Sequence, residues 1–440
     1  MFLTVIPSIL LLSASGFCEI DISGEFLTDN RFRIKGDNKF TWNENRLVLK
    51  LDSEISVAHL YGEIWLRGFG FPSISQSSDL QKKSKENVSP WAIELREAYI
   101  DFYKLFTNNL ELRIGRQRIA WGTADKFNPT DNLNPDDLED IMDFGIKLGS
   151  NSLKLIYYLG SCTFTGVYIP VFTPAVLPSS DWASALSSPP SLPSGMTLRN
   201  FTDSIILPEN NPKKNSMGAF KIAGNLFNYD LSISYFYGRD DLPLINKIEI
   251  TPVDSSTVDA NVEMIYPKMQ VFGADLAGAV SNIGIWAEGA CFIPEKVEMK
   301  TFTVGVGTQT SIALDDEFYF KYVFGGDYTF KNGIYINGQY LHGFIHERGD
   351  GNLEDYFMTG IEKKLFSDEL NVKIGFGAEI KDFENIKDNL ATMIFPEVNY
   401  YPVDNTEISI GAYLIDGKDT TNFGKVKDND EIYLKFKYRF

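Results

Sequence analysis

Glu431-Ile432-Tyr433-Leu434-Lys435-Phe436-Lys437-Tyr438-Arg439-Phe440 closes the chain, and its reading decides the fold. Ile432, Leu434, Phe436, Tyr438 and Phe440 alternate with Glu431, Tyr433, Lys435, Lys437 and Arg439. Successive side chains of a strand point to opposite faces, so this segment has one apolar face and one largely charged face. Such a segment lies between two very different media.

The same period of two runs through the chain. Leu47, Leu49 and Leu51 alternate with Arg46, Val48, Lys50 and Asp52; Leu60, Gly62, Ile64 and Leu66 alternate with His59, Tyr61, Glu63, Trp65 and Arg67. Ala98, Ile100 and Phe102 alternate with Glu97, Tyr99, Asp101 and Tyr103, and Leu110, Leu112 and Ile114 with Glu111 and Arg113. The pattern predicts about 18 strands, with 16 as the neighbouring count: 20–34, 40–52, 54–69, 91–104, 109–119, 141–150, 151–163, 216–225, 227–239, 264–280, 282–292, 317–331, 333–345, 355–367, 370–382, 390–401, 405–416 and 429–440. Every second connection is a tight turn, at Ser53, Thr107-Asn108, Ser150-Asn151, Leu226, Ser281, Lys331-Asn332-Gly333, Ser367-Asp368-Glu369 and Pro402-Val403-Asp404. The others are mostly long: 70–90, 120–140, 164–215, 240–263, 293–316, 346–354, 383–389 and 417–428. Short turns on one rim and long loops on the other define an all-β fold, a single antiparallel transmembrane β-barrel with periplasmic turns and extracellular loops. A soluble propeller would repeat every 40–50 residues with a shared motif, and no such repeat occurs. The last strand also resembles the C-terminal signal by which barrels are handed to the outer-membrane assembly machinery, which makes Phe440 the expected point of contact with it.

Composition agrees. Aromatic residues make up 14% of the chain and 35 Gly accompany them, which suits aromatic bands and tight turns. Three Cys exclude a disulfide scaffold, and a net charge of -18 disfavours nucleic acid as a partner. Residues 2–12 form an apolar block, small residues follow at 13–16, and charge begins at Glu19, so 1–18 reads as a signal peptide and 19–440 as the barrel. The segment before Glu19 carries no Lys or Arg, and Phe17 before Cys18 is unlike the small residue that precedes a lipidated Cys. The compartment that follows is the bacterial outer membrane, with its lipids and lipopolysaccharide as surroundings.

If the apolar positions meet lipid, the alternate ones face the lumen. That set contains Arg46, Lys50, Glu63, Arg67, Glu97, Asp101, Glu111 and Arg113. These charges can tie neighbouring strands together, or line a hydrophilic conduit and select solutes, and the two roles are compatible. Strict phase adds Gln117 to the inward set and turns Arg116 and Arg118 outward, whereas a bulge at Gly115 would reverse all three.

Residues 94–140 hold the one local motif: Glu-Leu-Arg-Glu-Ala-Tyr-Ile-Asp-Phe, then Leu-Arg-Ile-Gly-Arg-Gln-Arg-Ile-Ala-Trp-Gly-Thr-Ala-Asp, then Asn-Pro-Thr-Asp-Asn-Leu-Asn-Pro-Asp-Asp. It resembles a family of bacterial outer-membrane barrels that includes alginate-export-type proteins and porin-like relatives, over about 45 residues. The resemblance implies a monomeric channel of 16 or 18 strands with loops partly closing the pore. In the loop itself, Asp125, Asp131, Asp136, Asp137, Glu139, Asp140 and Asp143 outnumber Lys126, and three Arg lie close by in sequence. Charge-assisted hydrogen bonds to the wall would pin such a loop inside the barrel; a solvated acidic loop or a calcium site are the alternatives, and no EF-hand spacing is present. The 164–215 segment, with eight Pro and a Ser-rich centre, also carries Phe172, Trp182, Leu186 and Met196, so it caps the mouth, folds into it, or remains a mobile surface loop.

Chemistry of other kinds is sparse. No Gly-x-Ser-x-Gly, phosphate loop or Cys/His zinc spacing occurs, and neither an enzyme, a metal nor a cofactor is expected. His342 and His346 share strand phase and are either a weak metal pair or isolated residues. The pattern points to a passive outer-membrane channel for small hydrophilic solutes, with a closed barrel acting as a surface-binding module through its long acidic loops as the second reading.

Overall fold

The computed structural model describes residues 19–81, 87–186 and 195–440. The expected signal segment with Cys18, and residues 187–194 of the expected 164–215 loop, lie outside these. The strands are β1 (Asp21–Arg33), β2 (Phe40–Ile55), β3 (Ala58–Phe69), β4 (Trp91–Phe102), β5 (Leu110–Gln117), β6 (Ser150–Leu159), β7 (Cys162–Ile169), β8 (Thr197–Ile205), β9 (Met217–Leu226), β10 (Tyr229–Arg239), β11 (Leu244–Pro252), β12 (Thr257–Ile265), β13 (Lys268–Val280), β14 (Ile283–Pro294), β15 (Val297–Thr303), β16 (Gly307–Leu314), β17 (Tyr319–Thr329), β18 (Ile334–His342), β19 (Asp355–Leu365), β20 (Leu370–Ile380), β21 (Leu390–Tyr400), β22 (Thr406–Gly417) and β23 (Glu431–Arg439). Eighteen of them form one antiparallel sheet, and β1 pairs with both β2 and β23, so the sheet closes into a barrel.

Side chains are arranged inside out relative to a soluble protein. Along β23, Ile432 and Leu434 are 45% and 52% exposed, while Glu431 and Tyr433 are 1% and 5% exposed. Ile22, Leu60, Ile93, Ile233, Phe272, Phe320 and Ile410 are likewise exposed on the outer wall. An apolar outer face is stable where the surroundings are hydrocarbon, and closure leaves no backbone group unpaired there. The seam runs to the last residue: Gly24 and Phe440 exchange both backbone hydrogen bonds, at 2.9 and 3.1 Å. A Cβ on Gly24 would lie 2.6 Å from the Phe440 ring, so glycine makes room for the terminal aromatic.

The short rim carries tight turns such as Phe227-Asn228, where both residues have positive φ, as a hairpin turn matched to strand twist requires. Two expectations are corrected here. Residues 141–150 are not a strand, and the expected 151–163 strand is two: β6, which starts at Ser150, and β7, joined by a turn at Gly160-Ser161 in place of Ser150-Asn151. The apolar pattern at 141–148 comes from a loop buried inside the barrel, where Ile141 is 2% exposed. The connections around it accordingly run from 118 to 149 and from 170 to 216.

The long loops at 240–263 and 293–316 are also more ordered than expected. β11, β12, β15 and β16, with β8, form a five-stranded sheet beyond the long-loop rim in the order β16-β15-β11-β12-β8. Ile248, Ile250, Val258 and Val262 are its small core.

The inside-out arrangement has a direct test. Ile410→Arg, on the lipid face, is expected to lower barrel stability by about 2–4 kcal/mol. Lys50→Gln, on the inner face, is expected to cost less than about 1 kcal/mol. Urea titration of the barrel refolded in lipid vesicles reads both.

Candidate functional site: a lumen narrowed by a crossing loop

The inner face of β1–β5 is a lattice of charge. Arg67 is buried and reaches Glu44, Glu94 and the loop residue Glu139, each at 2.7 Å. Arg46 lies 4.2 Å over Trp65 and 3.6 Å from Glu44, and Lys50 is 3.7 Å from Glu63. Glu63 accepts from Tyr61 and Trp65 at 2.9 and 2.7 Å. Asp101 accepts from Arg113 at 2.6 Å and lies 3.0 Å from His59 Nδ1, and Arg113 sits over Tyr99. Glu97 accepts from the Arg118 backbone N–H, and Glu111 from Tyr158.

The phase at Gly115 is resolved. Register runs unbroken through β5, and Gln117 is fully buried with its amide donating to the Ser152 carbonyl. Gly115 has φ +136°, and a Cβ there would meet the Ala98 carbonyl at 2.3 Å, so it kinks the strand without slipping it. The bulge falls elsewhere, between the Glu63–Glu97 and Ile64–Leu95 pairs. It turns Arg96 inward, where the guanidinium stacks 4.1 Å over Trp65 and bonds Asp137 at 2.7 Å. Strict alternation places Arg96 on the lipid side, so sequence reading missed it; an arginine out of phase in a lipid-facing row is the available signal.

The 118–149 loop crosses the barrel. Asp137, Glu139 and Asp140 bond Arg96, Arg67 and Arg31 on β4, β3 and β1, the last at 2.8 Å. The same loop is held on β14, across the barrel, by Glu288. This one buried carboxylate accepts from the Thr123, Ala124 and Thr130 backbone N–H groups, the Thr130 hydroxyl and the Asn128 amide, at 2.7–3.3 Å. Gln339 on β18 donates to the Asp125 carbonyl. The arginines that pair with the loop acids are thus remote ones on the wall, while Arg118, at the start of the loop, donates to the Gly145 carbonyl at 2.9 Å.

Of the loop acids picked out by sequence, Asp125 and Asp137 sit at opposite contacts. Asp131 and Asp136 lie in a buried junction with Lys147, Asp240, Asp241 and Arg348; Lys147 pairs with Asp136 at 2.9 Å, and Arg348 with Asp240 at 2.5 Å. Burial pushes the Asp131 carboxyl up to about 6, and one of its oxygens has no hydrogen-bond partner. Asp140 goes the other way, to about 2, because Arg31 outweighs burial.

The rest of the lumen is not uniformly hydrophilic, which corrects the expectation. Phe127 and Ile141 of the crossing loop, Trp182 of the next loop, Phe344, and Phe423 and Val426 pack on the walls of β17–β19, β21 and β22 as one apolar cluster. Trp182 is seated by its neighbour Asp181, which pairs with Arg33 at 3.0 Å. His342 and His346 do not form a pair. His342 lies on the outer wall and meets Asp355 at 2.8 Å, whereas His346 is buried in the following loop, its pKa pushed down to about 3 by burial and nearby cations.

Between the crossing loop and the wall of β18–β23 a cavity of about 450 Å³ remains. Gly360, Gly375 and Gly377 pave that wall with backbone alone, opposite Phe127 and Phe144.

No protein-family model and no curated protein sequence matches the chain. Among solved structures it is similar to OccAB1 of Acinetobacter baumannii, at 10% identity over 97% of this chain and 98% of that one, with a TM-score of 0.53. OmpF of Salmonella typhi matches with a TM-score of 0.41, and OmpT, an outer membrane protein of Vibrio cholerae, with 0.42, each over 96% of this chain. At these identities the likeness is one of fold, and only the first score is high enough to carry it. The closed barrel and its apolar outer wall define the class, a transmembrane β-barrel of the outer-membrane kind, and OccAB1 shares this fold. Its immediate surroundings are outer-membrane lipids.

Two outcomes are expected. Glu288→Ala removes five acceptor contacts and is expected to free the crossing loop, seen as faster cleavage within 122–130 by added protease than in the wild type. Because the Asp131 pKa is raised on folding, its contribution favours the packed loop at low pH and is lost as pH rises from about 4 to about 6. Asp131→Asn is therefore expected to stabilise the loop by about 1–3 kcal/mol at pH 7.5 and to change little at pH 4, read by Trp121 fluorescence on heating.

Proposed function

We propose that the chain is a passive outer-membrane channel for small hydrophilic solutes. The observation that carries this reading is the open cavity beside a loop that otherwise fills the barrel. Solutes pass between the crossing loop and the glycine-paved strip on β19 and β20. Arg46, Lys50, Glu63, Arg67, Glu97, Asp101, Glu111, Arg113 and Gln117 form the mixed-charge wall of the lumen on β2–β5, apart from the residues that border the cavity, and Asp125, Asp131, Asp136 and Asp137 belong to the loop that narrows it. The loop carrying Trp182 caps the extracellular mouth. Phe440, paired at the seam, is the contact for the assembly machinery, and the extracellular rim meets lipopolysaccharide.

A second reading is favoured by the apolar cluster across the mouth and by the five-stranded sheet outside it: a closed barrel that presents this sheet as a binding surface. Planar bilayers separate the two. The refolded 19–440 chain is expected to give discrete conductance steps, with a reversal potential in a salt gradient that reports its ion preference. Gly377→Trp is expected to reduce the conductance several-fold, because a Cβ there meets only Met393 at 3.4 Å and the indole would fill the cavity. Silence from both the wild type and Glu288→Ala would leave the binding-module reading.

A further inference from the structure

We propose that the cavity beside the crossing loop is a subsite for small organic cations, such as primary or quaternary ammonium compounds; this rests on the channel reading and names the solute class it favours. Three ammonium groups border the cavity and each is already engaged. Lys126 pairs with Asp143 at 3.0 Å, Lys373 with Glu397 at 3.3 Å, and Lys435 with Asp29 at 3.3 Å. Two further carboxylates border the same space. Asp125 is exposed on the loop, and no cation lies within ion-pair distance of it among the described residues. Glu362 stands directly across from Lys373, which stands across from Glu397, so one lysine serves two glutamates. Beyond that, Glu362 receives the Asn371 amide at 3.0 Å. The cavity thus carries surplus negative charge at two points, one on the loop and one on the wall.

Part of its remaining surface is aromatic. The Trp286 ring packs against Gly325, where a Cβ would fall 2.7 Å from two indole carbons, and it borders the cavity between β14 and β18. Among the described residues no cation sits on the Trp286 face, whereas the Tyr433 face is occupied by Lys435 at 4.7 Å. Tyr335 and Phe144 complete the frame. Carboxylates at the rim and unoccupied aromatic faces between them attract an organic ammonium through charge and ring quadrupole together. A bare metal ion would find too few oxygens converging there to replace its hydration shell. A volume of about 450 Å³ admits a small organic solute.

The test uses tyramine as the cation, with tyrosol as its neutral and 4-hydroxyphenylacetate as its anionic counterpart, added to refolded barrels carrying a K⁺ current. Tyramine is expected to reduce the current in a saturable way, and the other two are not. Trp286→Leu is expected to weaken this effect roughly two- to fivefold, and Asp125→Asn with Glu362→Gln at least as much, each read as the fraction of that variant's own K⁺ current that tyramine removes. Equal effects of all three compounds, or unchanged tyramine sensitivity in the variants, would overturn the proposal. If no K⁺ current flows, the channel reading fails, and titration calorimetry with tyramine decides the subsite: saturable heat lost in Trp286→Leu supports it, and no heat removes it.

Discussion

Hydrocarbon offers no hydrogen bonds, and this one constraint shapes the rest of the molecule. Every backbone N–H and C=O in the membrane must be paired within the chain, so the sheet has to close, and β1 meets β23 down to the Gly24–Phe440 pair. Closure places every second side chain inside. The apolar residues go out, and the charged residues must then find partners in a confined space.

The crossing loop supplies many of those partners. Arg31, Arg67 and Arg96 would face one another along the inner wall; Asp140, Glu139 and Asp137 come to them from the loop. The reverse holds across the barrel, where a wall carboxylate, Glu288, meets donors of the loop. Gly273 completes that contact, since a Cβ there would lie 2.6 Å from the Thr130 side chain. The loop is thus clamped at both ends of its crossing, and the cavity of about 450 Å³ beside it borders the glycines of β19 and β20.

The barrel and the alternation of turns and loops were legible because lipid on one side and charge on the other enforce a strict period of two. The same logic failed where a segment meets protein on both sides. Ile146, Leu148 and their neighbours imitate a strand because they pack inside the lumen. In β7, Phe164 and Tyr168 on one face and Val167 and Ile169 on the other are both apolar, so no alternation marks the strand. Arg96 was hidden by a bulge that shifts phase by one residue. The outer sheet could have been seen at Lys247-Ile248-Glu249-Ile250, which alternates as a barrel strand does. Glu288 left no trace, since one acid in a strand gives no hint of the loop it holds from more than 150 residues away.

The proposed solute path runs along the glycine strip of β19 and β20. Cysteine placed at Gly377, in a chain whose Cys162 and Cys291 are replaced by Ser, tests it most directly. A charged thiol reagent added during recording should cut the single-channel current stepwise, while cysteine at Ile410 on the lipid face should leave it unchanged. A modified Gly377→Cys barrel that conducts as before would contradict the account.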